Sequence, residues 1–221
     1  MPTELDSKDG ILIRIMTVAD YQPLKTLMRG NFFKGEPLGE LYEEEWVKEY
    51  HDEFYLSKIK QGTCLLAVDE NNGGRIVGYV LAHARTPDDE EKERKRAAAS
   101  EPNTWDDILV FLSKIDTEVN LFKRYGISEL LYSYITHVVA SMRGKGLGSR
   151  LAAALMEVGR SKGFSLIAAH CTSFYSARQM AALGMECVYS IAYADYKDAS
   201  GQVVFKPVAP HTHLRLMVIK L

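Results

Sequence analysis

Hydrophobic and polar positions along the chain divide it into segments of two periods. Met1 to Gly10 is polar and reads as an N-terminal tail rather than a signal peptide. Ile11-Leu12-Ile13-Arg14-Ile15-Met16 is then a β-branched run and predicts a strand. Thr17 stands where a hydroxyl caps a helix, and Tyr21, Leu24, Leu27 and Met28 recur on one helical face, running towards Phe32 and Phe33. Gly35-Glu36-Pro37-Leu38-Gly39 breaks this pattern, because proline pushes the residue before it out of helix. A second helix is expected from about Glu40 to Ile59, with Leu41, Trp46, Tyr50, Phe54 and Leu56 as its apolar stripe.

Thr63 to Val68 and Arg75 to Ala84 read as a hairpin around Asp69-Glu70-Asn71-Asn72-Gly73-Gly74, residues that tolerate positive φ. Pro87 to Ser100 is charge-dense, with i,i+4 pairs such as Glu90 and Arg94, and reads as a solvated helix or mobile loop. Thr104-Trp105-Asp106-Asp107 has the form of a capping box. Beyond it, Trp105, Ile108, Leu112, Ile115, Val119 and Phe122 repeat at helical spacing until Gly126.

The second half alternates more regularly. Strands are expected at Leu131 to Ala140 and Leu166 to Cys171, with helices at Gly146 to Lys162 and Ser173 to Leu183. Closing strands follow at about Met185 to Tyr193, Val203 to Phe205 and His213 to Ile219. The order predicts a single α/β (α+β) domain over residues 11–221, built on one mixed sheet.

Composition narrows the function. Among 221 residues, 47% are hydrophobic and 25% charged, an ordinary globular balance. Lys and Arg number 27 against 29 Asp and Glu, and the formal charge of −2 excludes a strongly basic nucleic-acid binder. Cys64, Cys171 and Cys187 are widely spaced, form no CxxC and offer no zinc pattern, so free thiols in a reducing, cytoplasmic setting and no metal are expected. No apolar run approaches the ~18 residues of a membrane span, so no membrane partner is expected either.

Arg143-Gly144-Lys145-Gly146-Leu147-Gly148-Ser149-Arg150, between a strand and an amphipathic helix, carries the strongest chemical signal. Glycines let backbone amides approach an anion, and a helix start adds about half a positive charge. The P-loop pattern fails because Gly146 follows Lys145 and Val139 takes the first glycine's place; the dinucleotide fingerprint fails because residue 149 is serine. A plain glycine-rich turn capping a helix is the bland alternative. Arg143-x-x-Gly146-x-Gly148 does match, and it resembles the acetyl-CoA pyrophosphate loop of the GCN5-related N-acetyltransferases. Gly35-Glu36-Pro37-Leu38, Ser173-Phe174-Tyr175-Ser176-Ala177, Ala194-Asp195-Tyr196-Lys197, Val203-Val204-Phe205-Lys206-Pro207 and Pro210-His211 further resemble the insect arylalkylamine N-acetyltransferases. The similarity runs from about Ile11 onward and is densest after Leu131.

The resemblance implies a mixed, mostly antiparallel sheet flanked by helices. It implies acetyl transfer from acetyl-CoA, a cosubstrate, to a small-molecule amine such as dopamine, serotonin, octopamine or tyramine, by direct attack in a ternary complex. His137, Val138, Arg143, Gly144, Lys145, Gly146, Leu147 and Gly148 would bind the cosubstrate, with the Val138 amide as oxyanion donor; Arg143, Lys145 and Arg150 add local charge. Glu36 is the implied base, acting through a water. Ser176 and Thr172 are candidate catalytic hydroxyls, and Phe33, Tyr175 and His211 candidate substrate contacts, Tyr175 being a further possible proton donor. Against these stand plainer readings: Glu36 as a solvated loop acid, and Thr172 and Ser176 as helix caps. Phe32, Phe33, Tyr42 and Trp46 serve equally as an aryl pocket or as core. His137, His170, His211 and His213 lack metal spacing. A monomer is expected, as the motifs require no partner chain. Same-fold acetylation of a polyamine, histamine or a hydrazine, and a non-catalytic acyl-CoA-binding module, remain alternatives.

Overall fold

A computed structural model describes residues 3–31, 36–38, 52–100 and 106–221. Phe32, Phe33, Gly35, Gly39, Glu40, Leu41, Tyr42, Trp46, Tyr50, Thr104 and Trp105 lie outside the described residues.

Eight strands form one sheet. They are β1 (Glu4–Lys8), β2 (Ile11–Ile15), β3 (Leu65–Asp69), β4 (Arg75–Arg85), β5 (Leu130–Val138), β6 (Leu166–Cys171), β7 (Glu186–Ala192) and β8 (His213–Lys220), in the spatial order β1-β2-β3-β4-β5-β6-β8-β7. Every neighbouring pair is antiparallel except β5 with β6. This is the mixed, mostly antiparallel α/β sheet expected from the sequence.

Three local expectations need correction. The polar tail contains an edge strand, β1, which turns into β2 through Asp9 (φ 54°) and Gly10 (φ 73°). An edge strand with little burial needs no apolar alternation, which is why its residues read as a tail. Val203 to Phe205 is not a strand: Val203 makes only an isolated bridge to Lys197, while Phe205 is buried against Phe111 at 5.3 Å between ring centroids. The helix expected to run on to Gly126 divides into α4 (Asp106–Val119) and α5 (Leu121–Tyr125), because Asn120 turns left-handed at φ 43°.

The remaining helices are α1 (Tyr21–Asn31), α2 (Asp52–Ile59), α3 (Pro87–Ala98), α6 (Leu147–Ser161) and α7 (Phe174–Ala182). Charge-dense α3 is fixed at its start by Asp89, whose carboxylate accepts from the Thr86 amide at 3.0 Å and the Thr86 hydroxyl at 2.7 Å. Strand alternation gives the sheet two buried faces. Ile13, Leu65, Val80, Leu131 and Ile167 pack with Leu151 and Leu155 of α6. On the other face Leu66, Tyr79 and Leu81 pack with Leu24 and Met28 of α1 and Tyr55 and Ile59 of α2, while Leu130, Leu166 and Leu216 pack with Phe111 and Ile115 of α4.

Candidate active site

The sheet opens in its middle. β5 and β6 pair in parallel only at Leu131–Ile167 and Tyr132–Ala168, after which their registered pairing ends. β5 stays bound to β4 as far as Val138 opposite Gly78, and β6 stays bound to β8 as far as Cys171 opposite Arg215. Beyond Tyr132, the edge of β5 that faces β6 pairs with no strand among the described residues and is open to another partner. The Val139 amide donates to Val77 at 3.0 Å. By alternation His137 also faces β4, whereas the backbone groups of Thr136 and Val138 face the gap. This corrects the expectation for His137: its backbone faces Tyr79, and its buried ring stacks on the Tyr79 ring at 5.3 Å. The Val138 carbonyl accepts from Arg143 Nε at 3.1 Å.

The glycine loop lies where β5 ends. Gly144 and Gly146 adopt φ 75° and 77°, a region that costs any residue with a Cβ, and so the chain turns directly into α6. The first bond of the helix runs from the Arg150 amide to the Gly146 carbonyl at 3.1 Å, and Gly146 supplies no side-chain cap. The amides of Leu147, Gly148 and Ser149 thus precede the intrahelical ladder, as in an anion-binding helix start. Arg143 and Lys145 are exposed beside them, while the Leu147 side chain is buried in the core and leaves only its backbone to the loop. Gly148 serves packing: a Cβ there would stand 2.4 Å from Gln179 Oε1 of α7. Arg150 does not add charge to the loop. It donates to Asp6 Oδ2 at 2.6 Å and to the Ile11 carbonyl at 3.0 Å, tying α6 to the β1–β2 hairpin.

Glu36 is held at the mouth of this gap. Its Oε2 accepts from the Leu38 amide at 2.7 Å and its Oε1 accepts from Thr172 Oγ1 at 2.5 Å, while Leu38 is fully buried. Thr172 directly follows β6, so the bond spans 136 positions and pins the loop acid to the strand end. On the β5 side, burial pushes the Tyr134 hydroxyl up to about 12, with the charges of Glu93 and Glu36 adding to the effect. Glu36 therefore lies within electrostatic reach of both lips of the gap. The solvated-acid reading does not fit a carboxylate with both oxygens engaged.

The structure brings Thr172 to Glu36 but not Ser176. The Ser176 hydroxyl donates to the Ser173 carbonyl at 3.0 Å and contacts Ser173 Oγ at 2.9 Å, inside the cap of α7. Cys171, one residue before Thr172, has its thiol pushed up to about 12 by burial, with the neighbouring Ser176 working against the shift. A thiol so held has almost no thiolate near neutral pH, which disfavours it as a nucleophile. Tyr175 and His211 meet at the start of α7. His211 Nδ1 accepts from the Phe174 amide at 3.2 Å, and the Tyr175 ring lies 5.7 Å from the imidazole. Phe33 lies outside the described residues.

Other residues around the site left weaker marks in the sequence. Phe54 of α2 packs edge-on to Tyr134 at 5.8 Å and to His83 at 6.3 Å, an aromatic wall whose Tyr134 feels the charge of Glu36. Phe54 carried a helical-stripe signal, but nothing local linked it to Tyr134, 80 positions away. Behind the point where β5 and β6 part lies a buried ring of polar groups. Tyr132 OH meets His170 Nδ1 at 2.7 Å, His170 Nε2 lies 3.2 Å from Asp116 Oδ1, Asp116 Oδ2 accepts from Arg85 at 2.8 Å, and the Arg85 guanidinium covers the Tyr132 ring at 4.8 Å. Glu93 of α3 also accepts from Arg85. Among the described residues, no group of three or more His, Cys, Asp or Glu could hold a metal ion, and no helix is long and apolar enough to cross a membrane.

No protein-family model matches the sequence. Solved structures do. A Drosophila melanogaster polyamine N-acetyltransferase that catalyses formation of N-acetylagmatine is 31% identical, with 96% of this chain and 100% of that chain covered at a TM-score of 0.83. The apo form of a variant agmatine N-acetyltransferase is also 31% identical, over 96% and 100% of the two chains, at a TM-score of 0.86. Arylalkylamine N-acetyltransferase 2 from Aedes aegypti is 25% identical, over 96% and 99%, at a TM-score of 0.86. With identity at this level spread over almost the whole length of both chains, and with the opened sheet and glycine loop in place, the chain belongs to the insect arylalkylamine and polyamine N-acetyltransferase family of the GCN5-related N-acetyltransferase fold.

Proposed function

We propose that the protein transfers the acetyl group of acetyl-CoA to the primary amine of an arylalkylamine by direct attack in a ternary complex. The observation that carries the reading is the opened β5–β6 pair, bordered on one side by the uncapped α6 start and on the other by the doubly hydrogen-bonded Glu36. The residues present fit the cosubstrate. The amides of Leu147, Gly148 and Ser149, with Arg143 and Lys145, suit its diphosphate, and the backbone of Thr136 with the amide of Val138, on the edge of β5 turned to the gap, suits an amide-bearing arm. Acetyl-CoA supplies the activated acyl group as a thioester.

Glu36 takes the proton of the substrate ammonium, whose pKa is ~10, like that of a lysine side chain. Thr172 and the Leu38 amide orient the carboxylate for this, through a bridging water where direct reach is lacking. The Val138 amide stabilises the oxyanion that forms as the free amine attacks the thioester carbonyl. Collapse of that intermediate breaks the C–S bond, and Ser176, once turned from the Ser173 carbonyl, relays the proton shed by the attacking nitrogen to the departing thiolate. The high thiol pKa of Cys171 supports direct attack over a covalent acyl-enzyme.

The aromatic wall of Phe54 and Tyr134 favours an aryl acceptor. The 31% identity to agmatine and polyamine enzymes supports the second reading, a flexible polycation. Initial rates of thiol release with acetyl-CoA separate the two. The aryl reading expects kcat/KM for tyramine, dopamine and tryptamine at least about tenfold above that for agmatine and spermidine, the scale of one to three kcal/mol a pocket contact contributes. The reverse order would assign the protein to polyamines, and turnover with none of these amines would favour an acyl-CoA-binding module.

A further inference from the structure

Tyr193 was absent from the sequence-derived site, yet it reaches the residue that orients Glu36. It begins a short 3₁₀ turn, Tyr193–Asp195, after β7, and its amide donates to the Thr212 carbonyl at 3.0 Å. Its ring is buried, 2% exposed, between Phe111 of α4 at 6.3 Å and Phe205 at 6.4 Å. Its hydroxyl donates to the Thr172 carbonyl at 2.6 Å. Burial, together with the nearby Glu36 and Cys171, pushes this phenol far above its ordinary pKa, so the proton stays on the oxygen and the bond persists across the working pH range.

Thr172 needs such a hold. It sits between the last residue of β6, Cys171, and Ser173, the cap of α7, and belongs to neither element. The direction of its Oγ1 depends on its own backbone torsions. Fixing its carbonyl limits rotation of the following peptide plane, and so limits where the hydroxyl points.

We propose that Tyr193 is a positioning residue for acetyl transfer: by anchoring the Thr172 carbonyl it aims the Thr172 hydroxyl at Glu36 Oε1, and so aims the base. This rests on Glu36 acting as the base. The chain of contacts runs Tyr193 O–H to Thr172 C=O, then Thr172 O–H to Glu36, and Tyr193 acts only through Thr172.

A double-mutant cycle tests this with Tyr193→Phe, which keeps the ring among Phe111 and Phe205 and removes only the hydroxyl. Tyr193→Phe is expected to lower kcat about threefold to tenfold, the effect of one neutral hydrogen bond, with KM for acetyl-CoA within twofold of wild type. Thr172→Ala lowers kcat as well, and in that background Tyr193→Phe has no further effect. In Thr172→Ser, which keeps a hydroxyl, the loss returns. Multiplicative losses in the Tyr193→Phe/Thr172→Ala double variant would overturn the proposal, because a proton donated by Tyr193 itself, or a general loosening of the fold, does not need Thr172. Unchanged kcat in Tyr193→Phe would overturn it too. Glu36→Gln run alongside separates the layers: wild-type-like turnover there removes the base itself, whereas an inactive Glu36→Gln with multiplicative Tyr193 and Thr172 losses removes only the role of Tyr193.

Discussion

Glu36→Gln should lower kcat by about 100- to 10,000-fold, the range over which a positioned proton acceptor contributes. The substitution preserves shape and takes away the base. Glutamine keeps one oxygen for the Leu38 amide, and its NH₂ group can face the Thr172 oxygen, so the loop stays attached to the end of β6. The melting temperature should accordingly move by only a few degrees, and KM for acetyl-CoA should hold, since the glycine loop lies on the other side of the gap. Thiol release at saturating acetyl-CoA and amine reads the effect. Turnover within twofold of wild type would show that the amine loses its proton elsewhere.

Asp116→Asn should produce the largest loss of stability. Asp116 and Arg85 are almost wholly enclosed, with side chains each 4% exposed, and Asp116 bridges Arg85 to His170. Burial works against its charge, but His170 and Arg85 outweigh it and hold the carboxyl well below the ordinary carboxylate range. Asp116→Asn takes the most deeply buried partner from Arg85 and leaves it only the more exposed Glu93 and Glu90, at a cost approaching the ~3–5 kcal/mol of a broken buried pair. For a chain of 221 residues this is a fall of roughly 6–20 °C in Tm. The pH dependence has a definite sign. A depressed folded pKa gives stability that is complete above the unfolded value of about 4 and is lost as pH falls through the folded value. The gap between wild type and Asp116→Asn should therefore be widest near neutral pH and shrink below about pH 4. A gap that stays constant down to pH 2.5 would mean the charge of Asp116 is not what stabilises the fold.

How much of this could be read from the sequence depended on whether the cause was local. Leu166–Cys171 was expected as a strand with the bounds it has, because its apolar run is buried on both faces. The glycine loop was legible because Gly144 and Gly146 answer a backbone demand that only a few residues can meet. β1 escaped notice because edge strands carry no burial pattern, although Asp9-Gly10 was a turn signal in plain view. Val203-Val204-Phe205 misled for the converse reason: strand-prone residues there fill a hole beside α4 instead of joining a ladder.

At the site, the loop acid Glu36 and Thr172 were named from the resemblance, but the bond joining them spans most of the chain and no spacing rule reaches that far. His137 shares the strand with Val138, but its backbone pairs with Tyr79 of β4. The strand was right, and only its pairing with β4 reveals which backbone groups turn to the gap. The Arg85–Asp116–His170–Tyr132 ring draws on four separate elements, and the Tyr193 anchor joins a 3₁₀ turn to the junction of β6 and α7, so both emerge only from the folded chain.

Acetyl transfer here requires the α6 start to be a diphosphate site at the edge of the opened sheet. Calorimetric titration with acetyl-CoA, ATP and NAD, on wild type and on Arg143→Ala, tests that directly. Saturable binding of acetyl-CoA alone is expected, weakened about tenfold in Arg143→Ala by loss of one charge-assisted contact. No binding of acetyl-CoA, or an affinity indifferent to Arg143, would contradict it.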